Sequence, residues 1–179
     1  MTLRTLCLHG PESTGKSTLA AALGAQLSAP IVAEYGRDWC AQHGADTSMD
    51  DLVIIATEHA RQIAAAKAAA HAAGRAWLIL DTDAVMTAVW AEMLYGHQAP
   101  YFQTITPAAD LYLVPDLDLP WVADGLRYLG ADADRRRFMD LSIRELDRRK
   151  LPYVLIRGQG AQRQANALTA IHAHFEPGA

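Results

Sequence analysis

The sequence predicts a three-layer α/β fold, a five-stranded parallel sheet with helices on both faces, and two observations predict it. Five short apolar runs recur along the 179 residues, LRTLCLH (3–9), PIVAE (30–34), AWLILD (76–81), DLYLV (110–114) and PYVLIR (152–157). Turn residues or a helical pattern follow each run, and apolar runs alternating with helices are what a parallel sheet covered on both faces requires. The length suits one buried core, so residues 1–179 are expected to form a single domain.

Each element then has its own local reason. The first run is followed by GPESTGKST (10–18), which opens a helix from Lys16 to about Leu27. The second run ends in Glu34-Tyr35-Gly36-Arg37. The stretch SMDDLVIIATEHARQIAAAKAAAHAAG opens with Ser48 and Asp51 at capping-box spacing and stops at Gly74, as a long helix should. Its alanine-rich half suits close packing or stands on its own helix propensity. The third run closes on Asp81-Thr82-Asp83. Between roughly 115 and 137 prolines, glycines and arginines replace periodicity, and this segment is expected to leave the layered fold as a lid.

Composition narrows the partners. Lys+Arg 16 against Asp+Glu 20 leaves a formal net charge of −4, which gives no general attraction for nucleic acid or an anionic membrane. No segment approaches the roughly 20 apolar residues of a membrane span, and the start before Pro11 is too short for a secretory leader. Cys7 and Cys40 lack the spacing of a redox pair or zinc site and suit a reducing compartment, so a cytoplasmic protein is expected. His172 and His174, two apart on an expected helix, point to different sides and argue against a shared metal. Oligomeric state is left open.

GPESTGKS satisfies G-x-x-x-x-G-K-S in the strand-loop-helix setting the motif needs, which predicts a P-loop NTPase fold. Gly10, Glu12, Ser13, Thr14, Gly15, Lys16, Ser17 and Thr18 are expected to wrap the phosphates of ATP, with Lys16 at the β/γ-phosphates and Ser17 on Mg²⁺. Asp81, at the end of the third run, is the candidate second Mg²⁺ ligand. Asp83 either caps the next helix or faces the substrate. Glu34 and Arg37 fall at the same sheet edge as the loop, where ligands of open parallel sheets bind. They suit a base for an attacking hydroxyl and a clamp for an anionic group, or alternatively a plain ion pair.

Arg127 is the candidate transition-state arginine and nucleotide contact of the lid, while at least two of Arg127, Arg135, Arg136 and Arg137 are expected on a solvated helix face. Tyr35, Trp90 and Trp121 are candidate acceptor contacts, although aromatics of such a chain often fill core instead. Arg157-Gly158-Gln159-Gly160 either lets an adenine ring approach the backbone or simply makes a turn.

GPESTGKS, EYGRDW, ILDTDAVMTAVWAEMLYG and LYLVPDLDLPWVADGLRYLG, in that order, resemble the ribosylnicotinamide kinase domain of NadR-type proteins across nearly the whole chain. The resemblance implies a nucleoside/nucleotide-kinase-like, AAA-type ATP-binding domain. It would use ATP and Mg²⁺ to phosphorylate the 5′-hydroxyl of nicotinamide riboside, a small-molecule partner, giving nicotinamide mononucleotide. No helix-turn-helix segment precedes the loop and no H-x-G-H-type motif occurs, so repressor and adenylyltransferase roles are not carried over. Ala33 stands where the resemblance leads one to expect a large aromatic. Two other readings stay open, a regulatory ATPase or nucleotide-binding module that lost its acceptor site, and a kinase for another nucleoside.

Overall fold

The alternation of apolar runs and helices resolves into a sheet whose strand order puts the loop-bearing strand at its centre. The structure, a computed structural model, describes residues 2–121, 129 and 131–176. In chain order the described elements are β1 (Arg4–Leu8), α1 (Lys16–Leu27), β2 (Ile31–Val32), α2 (Tyr35–His43), α3 (Met49–Ala72) and β3 (Trp77–Asp81), followed by α4 (Ala84–Tyr95), α5 (Tyr101–Thr104), β4 (Leu111–Pro115), α6 (Asp132–Arg148), β5 (Tyr153–Ile156) and α7 (Gly160–Phe175). Among the described residues the strands form one parallel five-stranded sheet in the order β2-β3-β1-β4-β5. The chain moves to one side of β1 and then to the other, so a crevice opens at the carboxyl end of β1, where parallel sheets place ligands.

Alternation along the strands builds two cores. Leu6 and Leu8 pack with Leu19, Leu23, Ala167 and Ile171 of α1 and α7. Cys7 points the other way, among Ile63, Leu78, Tyr112 and Leu146. Burial on both faces explains why these strands read as uninterrupted apolar runs, each fully buried aliphatic contributing about 1.5–3 kcal/mol. The helix over residues 49–72 starts where its capping box places it. Ser48 Oγ accepts from the Asp51 N–H at 3.2 Å, and Asp51 accepts from the Ser48 N–H at 2.9 Å. It ends in a Schellman arrangement at Gly74 (φ +62°), whose N–H bonds the His71 carbonyl while the Arg75 N–H bonds the Ala70 carbonyl. No helix among the described residues is long and apolar enough to cross a membrane.

Two boundaries differ from the sequence reading. The second run narrows to Ile31–Val32, because Glu34 already occupies the N-cap position of α2. Both ends of the segment expected as a lid belong to regular elements instead, since Pro115 is the last residue of β4 and 132–137 are the opening turns of α6, while 122–128 and 130 lie outside the described residues. Asp132 and Asp134 in that first turn complement the helix dipole, which turns an irregular-looking string of charges into a helix start. Arg127 lies outside the described residues.

Asp83 ties three elements together. Its carboxylate accepts the Val85 N–H at 3.0 Å as the cap of α4, the Tyr112 hydroxyl of β4 at 2.6 Å and the Ala108 N–H at 3.4 Å. The Val85 and Tyr112 bonds are buried, so Asp83→Ala removes a helix cap and leaves the Tyr112 hydroxyl without its acceptor. The expected loss is about 3 kcal/mol. Chemical denaturation checks it, and Tyr112→Phe in the same background should cost little more, because the two changes delete one interaction.

Candidate functional site

The loop between β1 and α1 is shaped by its glycines and held from outside. Gly10 (φ +120°) and Gly15 (φ +79°) adopt conformations that side chains rarely take. A Cβ on Gly15 would also stand 3.1 Å from Leu119 and 3.4 Å from Arg163. Gly15 is the N-cap of α1, and no side chain caps that helix, so its first N–H groups and the positive end of its dipole face the cavity. Thr14 and Lys16 both donate to the Pro11 carbonyl, at 2.9 and 2.8 Å. Arg163 of α7 donates to the Thr14 carbonyl and, at 2.6 Å, to the Gly158 carbonyl, and it pairs with Asp118. Arg135 of α6 donates to the Leu119 carbonyl at 3.0 Å and the Ser13 carbonyl at 3.4 Å. Two buried guanidiniums thus take carbonyls of the loop.

One cavity of about 180 Å³ begins at this loop, lined there by Gly10, Glu12, Ser13, Gly15, Lys16, Ser17 and Thr18. It continues past Glu34, Gly36 and Arg37 of the α2 start to an apolar end formed by Cys40, Leu52, Ile55, Met86, Trp90 and Leu94. The Tyr95 hydroxyl donates to the Thr47 carbonyl and fastens the end of α4 to the segment before α3 at that apolar end. Trp90 also packs at a tilt against Phe138, with ring centroids 4.6 Å apart.

Register brings the carboxylates to the loop. Leu8 pairs with Asp81 across β1 and β3, which sets Asp81 two residues short of the level of Gly10. Asp81 is buried behind the cavity lining, and its Oδ1 has no hydrogen-bond partner among the described residues. Thr82, a β-branched residue at φ +77°, makes the turn that follows, a strain of about 1–3 kcal/mol. In an extended strand Asp81 and Asp83 would share a face; the kink separates them, and Asp83 is taken up as the α4 cap rather than lining the cavity.

Electrostatics couple the set. Burial lowers the Lys16 ammonium, against the opposing pull of Glu34, Asp81 and Glu12. Burial pushes the Glu34 carboxyl up, opposed by Lys16 and reinforced by Asp81. Glu34, Asp81 and Glu12 all favour the charged Lys16, and Arg37 opposes it.

Most of the sequence-predicted set therefore converges on one cavity: the Thr14 side chain is buried against the Pro11 carbonyl, and the other loop residues, together with Glu34, Arg37 and Trp90, line it. Tyr35 and Trp121 do not. Tyr35 is turned toward Trp39, and the buried Trp121 indole nitrogen has no hydrogen-bond partner among the described residues. Arg136 and Arg137 are exposed on α6. The Gly158 segment forms a tied turn, its N–H donating to Asp118 at 2.7 Å and the Gln159 amide to the Asp118 carbonyl at 2.8 Å. Sequence reasoning missed Arg163 and His59. Arg163 heads the buried stripe Arg163, Ala167, Ile171 of α7, and a guanidinium at helical spacing on an apolar face was the available signal.

With this geometry in place, comparison with known proteins gives a consistent picture. A protein-family model described as an AAA domain matches residues 5–163. The chain is 33% identical over 160 residues to the trifunctional NAD biosynthesis/regulator protein NadR of Escherichia coli (strain K12), covering 86% of this chain and 38% of that protein. It is 32% identical over 161 residues to the protein of the same name from Salmonella typhimurium (strain LT2), covering 87% of this chain and 38% of that one. The chain thus spans well under half the length of the curated relatives it matches. Among solved structures it superposes on a NadR protein in complex with NR, with TM-score 0.76 and 24% identity over 96% of this chain and 49% of that one. It superposes also on thymidylate kinase from Ehrlichia chaffeensis, with TM-score 0.70 and 12% identity over 96% of this chain and 100% of that one. At these identities the likeness establishes the P-loop α/β fold.

Lys16→Ala is expected to lower the melting temperature of the ligand-free protein, because the buried ammonium donates to the Pro11 carbonyl and offsets the charge of Glu34, Asp81 and Glu12. The rise in melting temperature that Mg-ATP gives the unaltered protein should vanish in the variant. Thermal denaturation with and without nucleotide checks both, and an undiminished rise would overturn the phosphate-loop assignment.

Proposed function

The chain belongs to the AAA-domain family, and from that premise we propose that it is an ATP-dependent small-molecule kinase that phosphorylates the 5′-hydroxyl of nicotinamide riboside. The observation that carries the reading is the continuity of the cavity: one lining combines the phosphate loop, a carboxylate and a guanidinium, and an apolar compartment to which Trp90 contributes. A hydrolase or a nucleotide-binding switch has no use for that third part. A nucleoside has matching halves, with its hydroxyls toward the polar middle and its flat ring in the apolar end. The similarity to the NadR proteins, one of them solved with NR and another with NAD and AMP-PNP, supports nicotinamide riboside as the acceptor.

In this mechanism the first N–H groups of α1 and the Lys16 ammonium hold the β- and γ-phosphates. The donor set fits Mg²⁺, a hard cation that binds few protein oxygens alongside phosphates and waters: the exposed Ser17 hydroxyl and the unpartnered, buried Asp81 Oδ1 are both oxygen ligands beside the loop. When bound, the ion neutralises charge on the transferring group. Glu34 orients the 5′-hydroxyl toward the γ-phosphorus and takes its proton as the O–P bond forms and the bond to ADP breaks. Because such transition states are loose, positioning outweighs proton removal. Arg37 steadies the phosphate side of the acceptor, and Arg127 supplies positive charge to the equatorial oxygens. The product is nicotinamide mononucleotide, made in the cytoplasm by an enzyme that binds neither nucleic acid nor membrane.

Ala33 favours one second reading, a kinase for a different nucleoside. Its side chain is exposed, leaving Trp90 as the one tryptophan that lines the cavity among the described residues.

The test is ADP release by the purified protein with Mg-ATP, with and without nicotinamide riboside, with the mononucleotide followed by mass. Stoichiometric ADP and mononucleotide are expected. ADP that appears at the same rate without any nucleoside would sink the kinase reading, and preference for another nucleoside in direct competition would select the second one.

Glu34 gives the reaction a pH signature. Its carboxyl must be ionised to accept a proton, and burial raises it above the ordinary value of 4.5, so activity falls as pH drops through that raised value. The acid limb of kcat/KM is therefore expected above pH 4.5 and absent from Glu34→Gln, which should retain nucleotide binding while kcat falls about 10²–10⁴-fold.

A further inference from the structure

α3 turns one face to the cavity, and that face changes character along its length. Leu52, Ile55 and His59 stand at three- and four-residue spacing and all line the cavity, two aliphatic side chains followed by an imidazole. His59 is 1% exposed, and its Nε2 has no hydrogen-bond partner among the described residues. A buried polar atom without a partner costs about 1–3 kcal/mol and calls for an explanation.

The ring's surroundings place it at the polar end of the compartment. It bonds the backbone of Ala33, next to Glu34, and both Asp81 and Asp83 act on it electrostatically. The Ala33 bond strengthens the ring's hold on protons, as an N–H donating to a carbonyl does, so the second nitrogen carries a lone pair. Burial keeps the ring neutral. Its remaining capacity is that of an acceptor, on a residue that lines the cavity together with the polar residues Glu34, Arg37, Thr82 and Thr87.

We propose that His59 Nε2 accepts a hydrogen bond from a secondary hydroxyl of the acceptor's sugar, and that this bond selects ribosides over their deoxy counterparts. The inference rests on the kinase reading and adds to it a positioning and specificity-determining residue. The reacting 5′-hydroxyl belongs to Glu34. His59 takes one of the two ring hydroxyls and fixes how the sugar lies, while the base extends toward Trp90. A phosphate or carbonyl oxygen cannot occupy this position, since neither offers a hydrogen.

The experiment compares nicotinamide riboside with its 2′-deoxy and 3′-deoxy analogues, in the unaltered protein and in His59→Leu and His59→Gln, by kcat/KM for each acceptor and KM for ATP. The unaltered protein is expected to lose about tenfold on one of the two analogues. His59→Leu should lose about tenfold on the riboside, stop discriminating against that analogue and keep its KM for ATP. The amide oxygen of His59→Gln should restore part of the discrimination. An unaltered protein indifferent to both deletions overturns the inference even if His59→Leu fails to fold, and so do variants that discriminate as the unaltered protein does. Failure to phosphorylate or bind any nucleoside, read by calorimetry, overturns the kinase reading and the inference together, which separates the two failures.

Discussion

The uncapped N-terminus of α1 is the constraint on which the rest of the structure depends. A helix start normally satisfies its first N–H groups with a Ser, Thr, Asp or Asn side chain, as Ser48 does for α3 and Asp83 for α4. At α1 the cap is Gly15, which has no side chain to offer, and the chain must still be held in a left-handed turn against the dipole of a buried helix. Holding falls to the opposite side of the loop. Arg163 and Arg135 take the carbonyls of Thr14 and Ser13, so the peptide units are fixed through their oxygens while their N–H groups stay available. Arg163 also takes the Gly158 carbonyl, so the loop is tied to the turn after β5 as well.

That arrangement explains the distribution of charge around it. Lys16, Arg135 and Arg163 are all buried, yet the two arginines are occupied with carbonyls and acids behind the loop, leaving Lys16 to face three carboxylates in front. Removing a carboxylate from water costs several kcal/mol unless something compensates it. Glu34 responds by a raised pKa, and Asp81 retains an oxygen with no hydrogen-bond partner among the described residues. Such a site is suited to a phosphate chain accompanied by a cation, the arrangement that the proposed phosphoryl transfer would use.

Much of this was legible in the sequence, and the parts that were not share a physical reason. GPESTGKS, the five runs and the Ser48–Asp51 cap were readable because they are local: the residues that define them lie within one turn or one strand of each other. Asp81 was readable because the end of a buried strand is a position, whatever lies beside it. Asp83 was not, since its choice between substrate and cap depends on the backbone sign at Thr82 and on a hydroxyl from β4. Arg163 and Thr14 are 149 residues apart, and a buried arginine reaching that far has no local pattern. His59 sat inside an ordinary amphipathic helix, distinguishable only once Ala33 and the cavity were known to flank it.

The Asp81-Thr82-Asp83 turn shows why strain belongs at this place. Two acids two residues apart in a strand would face the same way, and both would enter the site, adding a further carboxylate beside Glu12, Glu34 and Asp81. A positive φ at a β-branched residue is unfavourable by about 1–3 kcal/mol, and it sends the second acid into the core, where three hydrogen bonds receive it. Those bonds offset the strain and cap α4, the helix that carries Met86, Thr87, Trp90 and Leu94 to the cavity. The wall that would receive the base is thus anchored by the same kink that keeps the phosphate end from excess negative charge, so the two ends of the site cannot be moved independently.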